Sequence, residues 1–268
     1  MKVASSCVCC ESNKLTKIPA VLMPFVAHRV FGWEPIEITK EYGLNTIPSG
    51  HAYNVCKTLY CLECELLFLD MRFDNEEIAA LYMGYRDEEY TALRDFYEPG
   101  YRQRAETLYA GLPHVPDIEK FLAPYLKFPI RVLDWGGDTG INTPFKDNHI
   151  DIYDISNTSV AFGQKVDNPS ADYDLIVCAN VLEHVPYPSN VLANIKKVMN
   201  PDTILSIEVP LDEIPYHQKR YWHEHVNFFT PLSLKKLLMR YQLSIIDTIQ
   251  IDNHLYHPYL VACKLEIK

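Results

Sequence analysis

The chain has 268 residues, 48% of them apolar, which is ample for a packed core and excludes a wholly disordered protein. Thirty-five acidic against 25 basic side chains give a net charge of −10 with no long basic run, so phosphate backbones are repelled and nucleic acid is excluded as a default partner. The segment before Leu15 has no apolar leader core and no run of about 18 apolar residues occurs anywhere, so the chain reads as cytoplasmic with no membrane partner.

Residues 1–74 hold six of the eight cysteines among scattered Pro, Gly and β-branched residues, a texture of loops and short strands too irregular for an amphipathic helix. A cytosolic chain keeps its thiols reduced, so the cysteine spacing needs an explanation other than disulfides. Cys7-x-x-Cys10 and Cys61-x-x-Cys64 form two knuckles, and four such thiolates complete a closed tetrahedral site for one structural zinc ion, with Cys9, His51 and Cys56 as rival ligands. From Asn75 the pattern becomes helical to about Pro99-Gly100, with Tyr82, Arg86, Tyr90 and Arg94 four apart along one face. This connector, 75–125, reads either as a lid or as a solvated helix, and with Arg102 and Arg104 it would suit a phosphate-bearing small molecule.

A helix over 117–126 leads into a buried strand and the glycine turn of VLDWGGDTG, which opens a domain spanning 126–268. Apolar strands at 149–155, 174–181 and 203–210 alternate with helix-like stretches such as 189–200, the signature of parallel strands with crossover helices. The last two strands, 243–252 and 259–267, are close enough in sequence to pair antiparallel. Cys178 and Cys263 fall in core strands as packing residues.

In the turn, Asp134 ends the first strand and Gly136, Gly137 and Gly140 let the backbone lie against a ligand. Asp154 closes the next strand 20 residues after Asp134, where dinucleotide-type folds hold a ribose. With Leu182-Glu183-His184 after the 174–181 strand, these residues resemble class I S-adenosylmethionine-dependent methyltransferases rather than nicotinamide dehydrogenases. The resemblance implies a Rossmann-like seven-stranded α/β sheet with helices on both faces. It further implies that the Asp134–Gly140 loop wraps the methionine end of the cofactor, that Asp154 holds its ribose, and that Asp167 and Ala179 lie by the remainder. Asp138 departs from the family, standing where many members carry the middle glycine. The cysteine-bearing N-terminus resembles the zinc-binding domain of bacterial sugar methyltransferases, especially deoxysugar C-methyltransferases. Those enzymes carry a further C-terminal domain that a chain ending at Lys268 is expected to lack, which argues against C-methylation; the resemblance implies an oxygen of a sugar, nucleotide sugar or surface-polysaccharide precursor as the acceptor.

A hydroxyl acceptor must lose a proton as the methyl arrives, and a histidine near the methyl group is the simplest base. The segment 221–230 concentrates His223, Glu224 and His225 after the fifth strand and resembles the Tyr-His-Glu-His segment of those sugar methyltransferases, with Trp222 in place of the tyrosine. His225 is the expected base, Glu224 its partner and His184 the runner-up. The competing expectation is a degenerate, non-catalytic scaffold that recruits a partner through its zinc module.

Overall fold

The computed structural model describes residues 1–43, 50–156, 158–211, 221–222, 225–252 and 257–266. Leu15–Leu22 (β1), Val55–Cys61 (β2) and Leu67–Leu69 (β3) form the antiparallel centre of an N-terminal sheet. The period-two alternation of strands gives this sheet two buried faces. Leu59, Cys61 and Phe68 enter one core, while Leu67 and Leu69 enter another. Two short pairs, Lys2–Val3 with Met71–Arg72 and Ile36–Ile38 with Gly50–Ala52, lie beside it.

Pro24–Phe31 (α1) corrects the expectation that 1–74 holds no helix. Its signals were a proline in the first turn and Gly32 in the left-handed region just after its end. The connector is also not one helix: Asn75–Tyr82 (α2), Glu88–Tyr97 (α3) and Tyr101–Tyr109 (α4) are separate. Gly84 and Arg86 adopt positive φ, and the Asp87 side chain caps α3 by accepting from the Tyr90 amide at 2.7 Å. The four-residue series from Tyr82 to Arg94 therefore crosses a turn and does not share a helix face. Tyr90 and Arg94 are buried, with Phe25 of α1 in edge contact with Tyr90.

Val115–Leu122 (α5) precedes the second sheet. Its strands are Arg131–Trp135 (β4), His149–Tyr153 (β5), Gln164–Lys165 (β6), Leu175–Ala179 (β7) and Ile204–Leu211 (β8), followed after the excursion below by Leu243–Gln250 (β11) and His257–Leu265 (β12). The order is β6-β5-β4-β7-β8-β12-β11, parallel except that β12 runs antiparallel to both neighbours. The antiparallel pairing of the last two strands matches the sequence, while the wedging of β12 between β8 and β11 required the three-dimensional fold. Pro188–Val198 (α6) and Pro231–Arg240 (α7) bury Leu192, Ile195, Leu234, Leu237 and Leu238 on one face of this sheet. Ile118 and Leu122 of α5 cover the other, against Val132, Ile150 and Val177.

Between β8 and α7 the chain leaves its own sheet and supplies Tyr221–Trp222 (β9) and Asn227–Phe228 (β10) to the N-terminal one, in the order β9-β1-β2-β3-β10. The two halves share a core: Cys7, Cys61, Cys64 and Phe68 pack in the same cluster as Phe229, Leu234 and Leu237. Among the described residues, no helix is long and apolar enough to cross a membrane.

Candidate active site

Parallel strands end together, so residues at their carboxyl ends gather at one edge. Asp134 is in register with Ile152 and Val177, and Ala179 with Glu208. Asp154, one residue past β5, and Asp167, two past β6, follow strands of the same edge; Asp167 is exposed.

The turn after β4 depends on its glycines. Gly136 and Gly140 have φ of 83° and 77°, and a Cβ at Gly140 would sit 2.1 Å from the Phe162 carbonyl oxygen. At Gly137 a Cβ would sit 2.6 Å from Cγ of Asp134. Asp138 takes the left-handed conformation that aspartate tolerates, with φ of 50°. Its amide donates to Oδ2 of Asp154 at 2.9 Å, and its carboxylate pairs with Arg86 from the turn between α2 and α3. The departure at this position thus ties the connector to the turn. The Ser156 amide donates to Oδ1 of Asp154 at 2.7 Å. A carboxylate oxygen has two lone pairs, so each oxygen of Asp154 retains one acceptor site for a vicinal diol.

Asp134 is buried, and burial pushes its carboxyl up to about 7, opposed by the Thr143 hydroxyl that donates to it at 2.5 Å. A native state that holds this proton more tightly than the unfolded chain, where the usual value is 3.8, has its stabilising contribution in full below about pH 4 and loses it as pH rises towards 7. Asp134→Asn should flatten the fall in unfolding free energy across that window, where one such group contributes up to roughly 1.4 kcal/mol per pH unit. Denaturant melts from pH 4.5 to 7.5 check this, and parallel wild-type and variant curves would refute it.

A second cluster follows β7. The imidazole Nδ1 of His184 is 2.8 Å from the Tyr82 hydroxyl of α2, and the His225 ring meets the His184 ring edge to face with centroids 4.5 Å apart. The two segments are fastened through their backbones: the amides of Val226 and Asn227 donate to the Glu183 carbonyl at 2.8 and 3.1 Å. The Asn227 side-chain amide donates to the carbonyls of Leu182 and Val185, and Arg72 of the N-terminal module donates to Oδ1 of Asn227 at 2.8 Å. His225 and the runner-up His184 are therefore brought together, whereas His223 and Glu224 lie outside the described residues. Connector arginines pair within the chain, Arg102 with Glu88 and Arg104 with Glu98, so these two do not present the unpaired charge that a phosphate would need.

Two buried groups of this edge received no site role from the sequence. Glu183 is 1% exposed and burial pushes its carboxyl up to about 8. Its signal was an acid inside the apolar run VLEHV. His114, at the start of α5, is 3.4 Å from Oε1 of Glu208, which also accepts from Asn180 at 3.1 Å. Nothing in the connector sequence points to that buried set.

In the N-terminal module, Cys7 and Cys64 sulfurs are 3.4 Å apart, Cys10 and Cys61 3.5 Å, and all four lie within 4.8 Å of one another. The rivals Cys9, His51 and Cys56 are not in that group.

A family model described as "Methyltransferase domain" matches residues 102–248. No curated protein matches the sequence. Among solved structures, the chain is similar to the Burkholderia thailandensis 1,6-didemethyltoxoflavin-N1-methyltransferase with bound 1,6-didemethyltoxoflavin and S-adenosylhomocysteine, with TM-score 0.53 and 16% identity, covering 88% of this chain and 100% of that one. It is also similar to the Synechocystis PCC 6803 magnesium protoporphyrin IX methyltransferase with bound S-adenosylmethionine, with TM-score 0.48 and 16% identity over 72% and 98% of the two chains.

Proposed function

The chain belongs to the methyltransferase-domain family, and from that premise we propose that it transfers the methyl group of S-adenosylmethionine to an oxygen of a small molecule of the sugar, nucleotide-sugar or surface-polysaccharide-precursor class. The observation that carries this reading is the convergence of the glycine turn, Asp154 and the His184/His225 pair on one carboxyl edge. The cofactor fits what this chain offers: a turn of bare backbone at Gly136, Gly137 and Gly140, and an Asp154 carboxylate with one acceptor site left on each oxygen. When bound, it supplies an electrophilic methyl group on a sulfonium.

In this assignment Asp134 faces the positive methionine end, Asp154 accepts both ribose hydroxyls, and Ala179 and Asp167 border the adenine side. His225 is the residue through which the acceptor hydroxyl loses its proton, with His184 beside it and Glu224, in the neighbouring segment, as its partner. The zinc module holds one ion on Cys7, Cys10, Cys61 and Cys64, since four converging sulfurs are the donor set of a closed structural site. The sugar-class acceptor is supported by the resemblance of that module and of the 221–230 segment to sugar methyltransferases. The domain division into 1–74, 75–125 and 126–268 belongs to the same reading.

Mass spectrometry of the purified chain, with and without candidate acceptors, tests the activity. Formation of S-adenosylhomocysteine with a product 14 Da heavier than the acceptor is expected, and cofactor binding without turnover on any acceptor would favour a non-catalytic scaffold. Asp154→Ala should weaken cofactor binding by about 1.5–3 kcal/mol for each charge-assisted hydrogen bond lost. Unchanged affinity by calorimetry would remove Asp154 from the site.

A further inference from the structure

Glu183 stands in the turn that follows β7, 1% exposed, and among the described residues neither of its oxygens meets a hydrogen-bond donor. Buried carboxyls without partners are rare because desolvation costs several kcal/mol, so each asks for an explanation. The nearby buried guanidinium does not provide one. Arg72 sends its donors to the carbonyls of Leu69, Pro186 and Val226 and to Asn227.

Two imidazoles stand close to Glu183 instead. One ligand atom each from Glu183, His184 and His225 falls within 4.8 Å of the others. Oε1 of Glu183 is 3.9 Å from Nε2 of His184, too long for a hydrogen bond between the two. Atoms that bind a common ion at about 2.0–2.2 Å stand about 3 to 4.3 Å apart, so a small contraction brings these three onto one centre. The other nitrogen of His184 lies against the Tyr82 hydroxyl at 2.8 Å, the outer-shell hydrogen bond that fixes the ring orientation and tautomer of a ligating imidazole. His225 is held in place by the backbone bonds of Val226 and Asn227 to the Glu183 carbonyl.

We propose that Glu183, His184 and His225 bind one divalent transition-metal cation, separate from the cysteine site, with its remaining positions open to an acceptor oxygen. One carboxylate and two imidazoles suit Mn²⁺, Fe²⁺, Co²⁺ or Zn²⁺ better than the all-oxygen shell of Ca²⁺ or Mg²⁺. The inference rests on the reading that the acceptor meets the methyl group beside these histidines, and it specifies how His225 acts there. As a ligand it makes the acceptor hydroxyl more acidic through the ion, and the proton leaves to solvent.

The test uses the full chain with zinc already on its cysteines, titrated with Mn²⁺ and followed by the electron paramagnetic resonance signal of free Mn²⁺, which thiolates do not retain. One Mn²⁺ per chain is expected, bound at least tenfold more weakly by Glu183→Gln, with S-adenosylmethionine affinity and melting temperature unchanged. If that variant does not fold, Co²⁺ on the wild type gives a second readout: weak visible bands of nitrogen and oxygen ligation, without the intense thiolate charge-transfer bands of the cysteine site. Absence of binding up to millimolar Mn²⁺ and Co²⁺, or Mn²⁺ binding that Glu183→Gln leaves intact, would overturn the cation site. Should binding be absent while His225→Ala still abolishes turnover, the cation fails and the proton-accepting histidine stands.

Discussion

Removing the zinc proposed for the cysteine site, by chelation or by Cys64→Ala, should lower the melting temperature by about 10 °C or more. Zinc binding to four thiolates supplies roughly 10–16 kcal/mol in isolated zinc-finger peptides, where it is the folding energy. Here part of that order is sustained by packing, because Cys7, Cys61 and Cys64 lie in the core shared with α7. A loss of even about 4 kcal/mol corresponds to roughly 8–16 °C in a chain of this size. The damage should also reach the acceptor side: the second knuckle ends at Cys64, β3 follows it directly, and Phe68 and Leu67 of β3 are in register with Asn227 and Phe228 of β10. His225 precedes that strand. Turnover should therefore fall more than cofactor binding, which in the proposed site draws on the turn after β4. Thermal melts paired with elemental analysis decide the matter. A metal-free preparation that melts at the wild-type temperature would eliminate the structural zinc.

The parts of the molecule with strong local signals were legible in the sequence. Strand β7 is a continuous apolar run, and β4, β5 and β8 send apolar residues into the cores on both faces of their sheet, while a glycine turn followed 20 residues later by Asp154 marks the carboxyl edge as the expected cofactor side. The paired Cys-x-x-Cys knuckles named the sulfurs that come together. What escaped was non-local. Strands β9 and β10 have two residues each, too short for any periodicity, and their pairing with the N-terminal sheet depends on partners about 160–200 residues away. The connector failed in a different manner: tyrosines and arginines spaced by four satisfy helix periodicity whether or not the helix is continuous, and Gly84 with Asp87 at an N-cap were the countersignals. Arg72 looks like a surface residue at the end of a strand, yet it is 1% exposed and its guanidinium holds the His225 segment through Asn227.

That arrangement gives the other large effect: His225→Ala should lower turnover by about 10²–10⁴-fold, the usual range for losing the group through which an acceptor is deprotonated. The residue is partly exposed, and its ring packs across His184 and within 6.1 Å of the Phe228 ring, so a truncation also removes some packing. Fold and chemistry separate because the clamp on this segment is built from the backbone of Val226 and the side chains of Asn227 and Arg72, none of which the substitution touches. Cofactor affinity should stay near the wild-type value, since the glycine turn and Asp154 take their hydrogen bonds from one another and from Ser156. His184→Ala in parallel should cost less than His225→Ala if the latter stands closer to the acceptor, and Tyr82→Phe should mimic a mild form of His184→Ala by releasing Nδ1. Single-turnover kinetics with the acceptor in excess, alongside calorimetry for the cofactor, measure both quantities. Wild-type turnover in His225→Ala would withdraw the residue from the chemistry. An equal loss of cofactor binding would assign it to the scaffold instead.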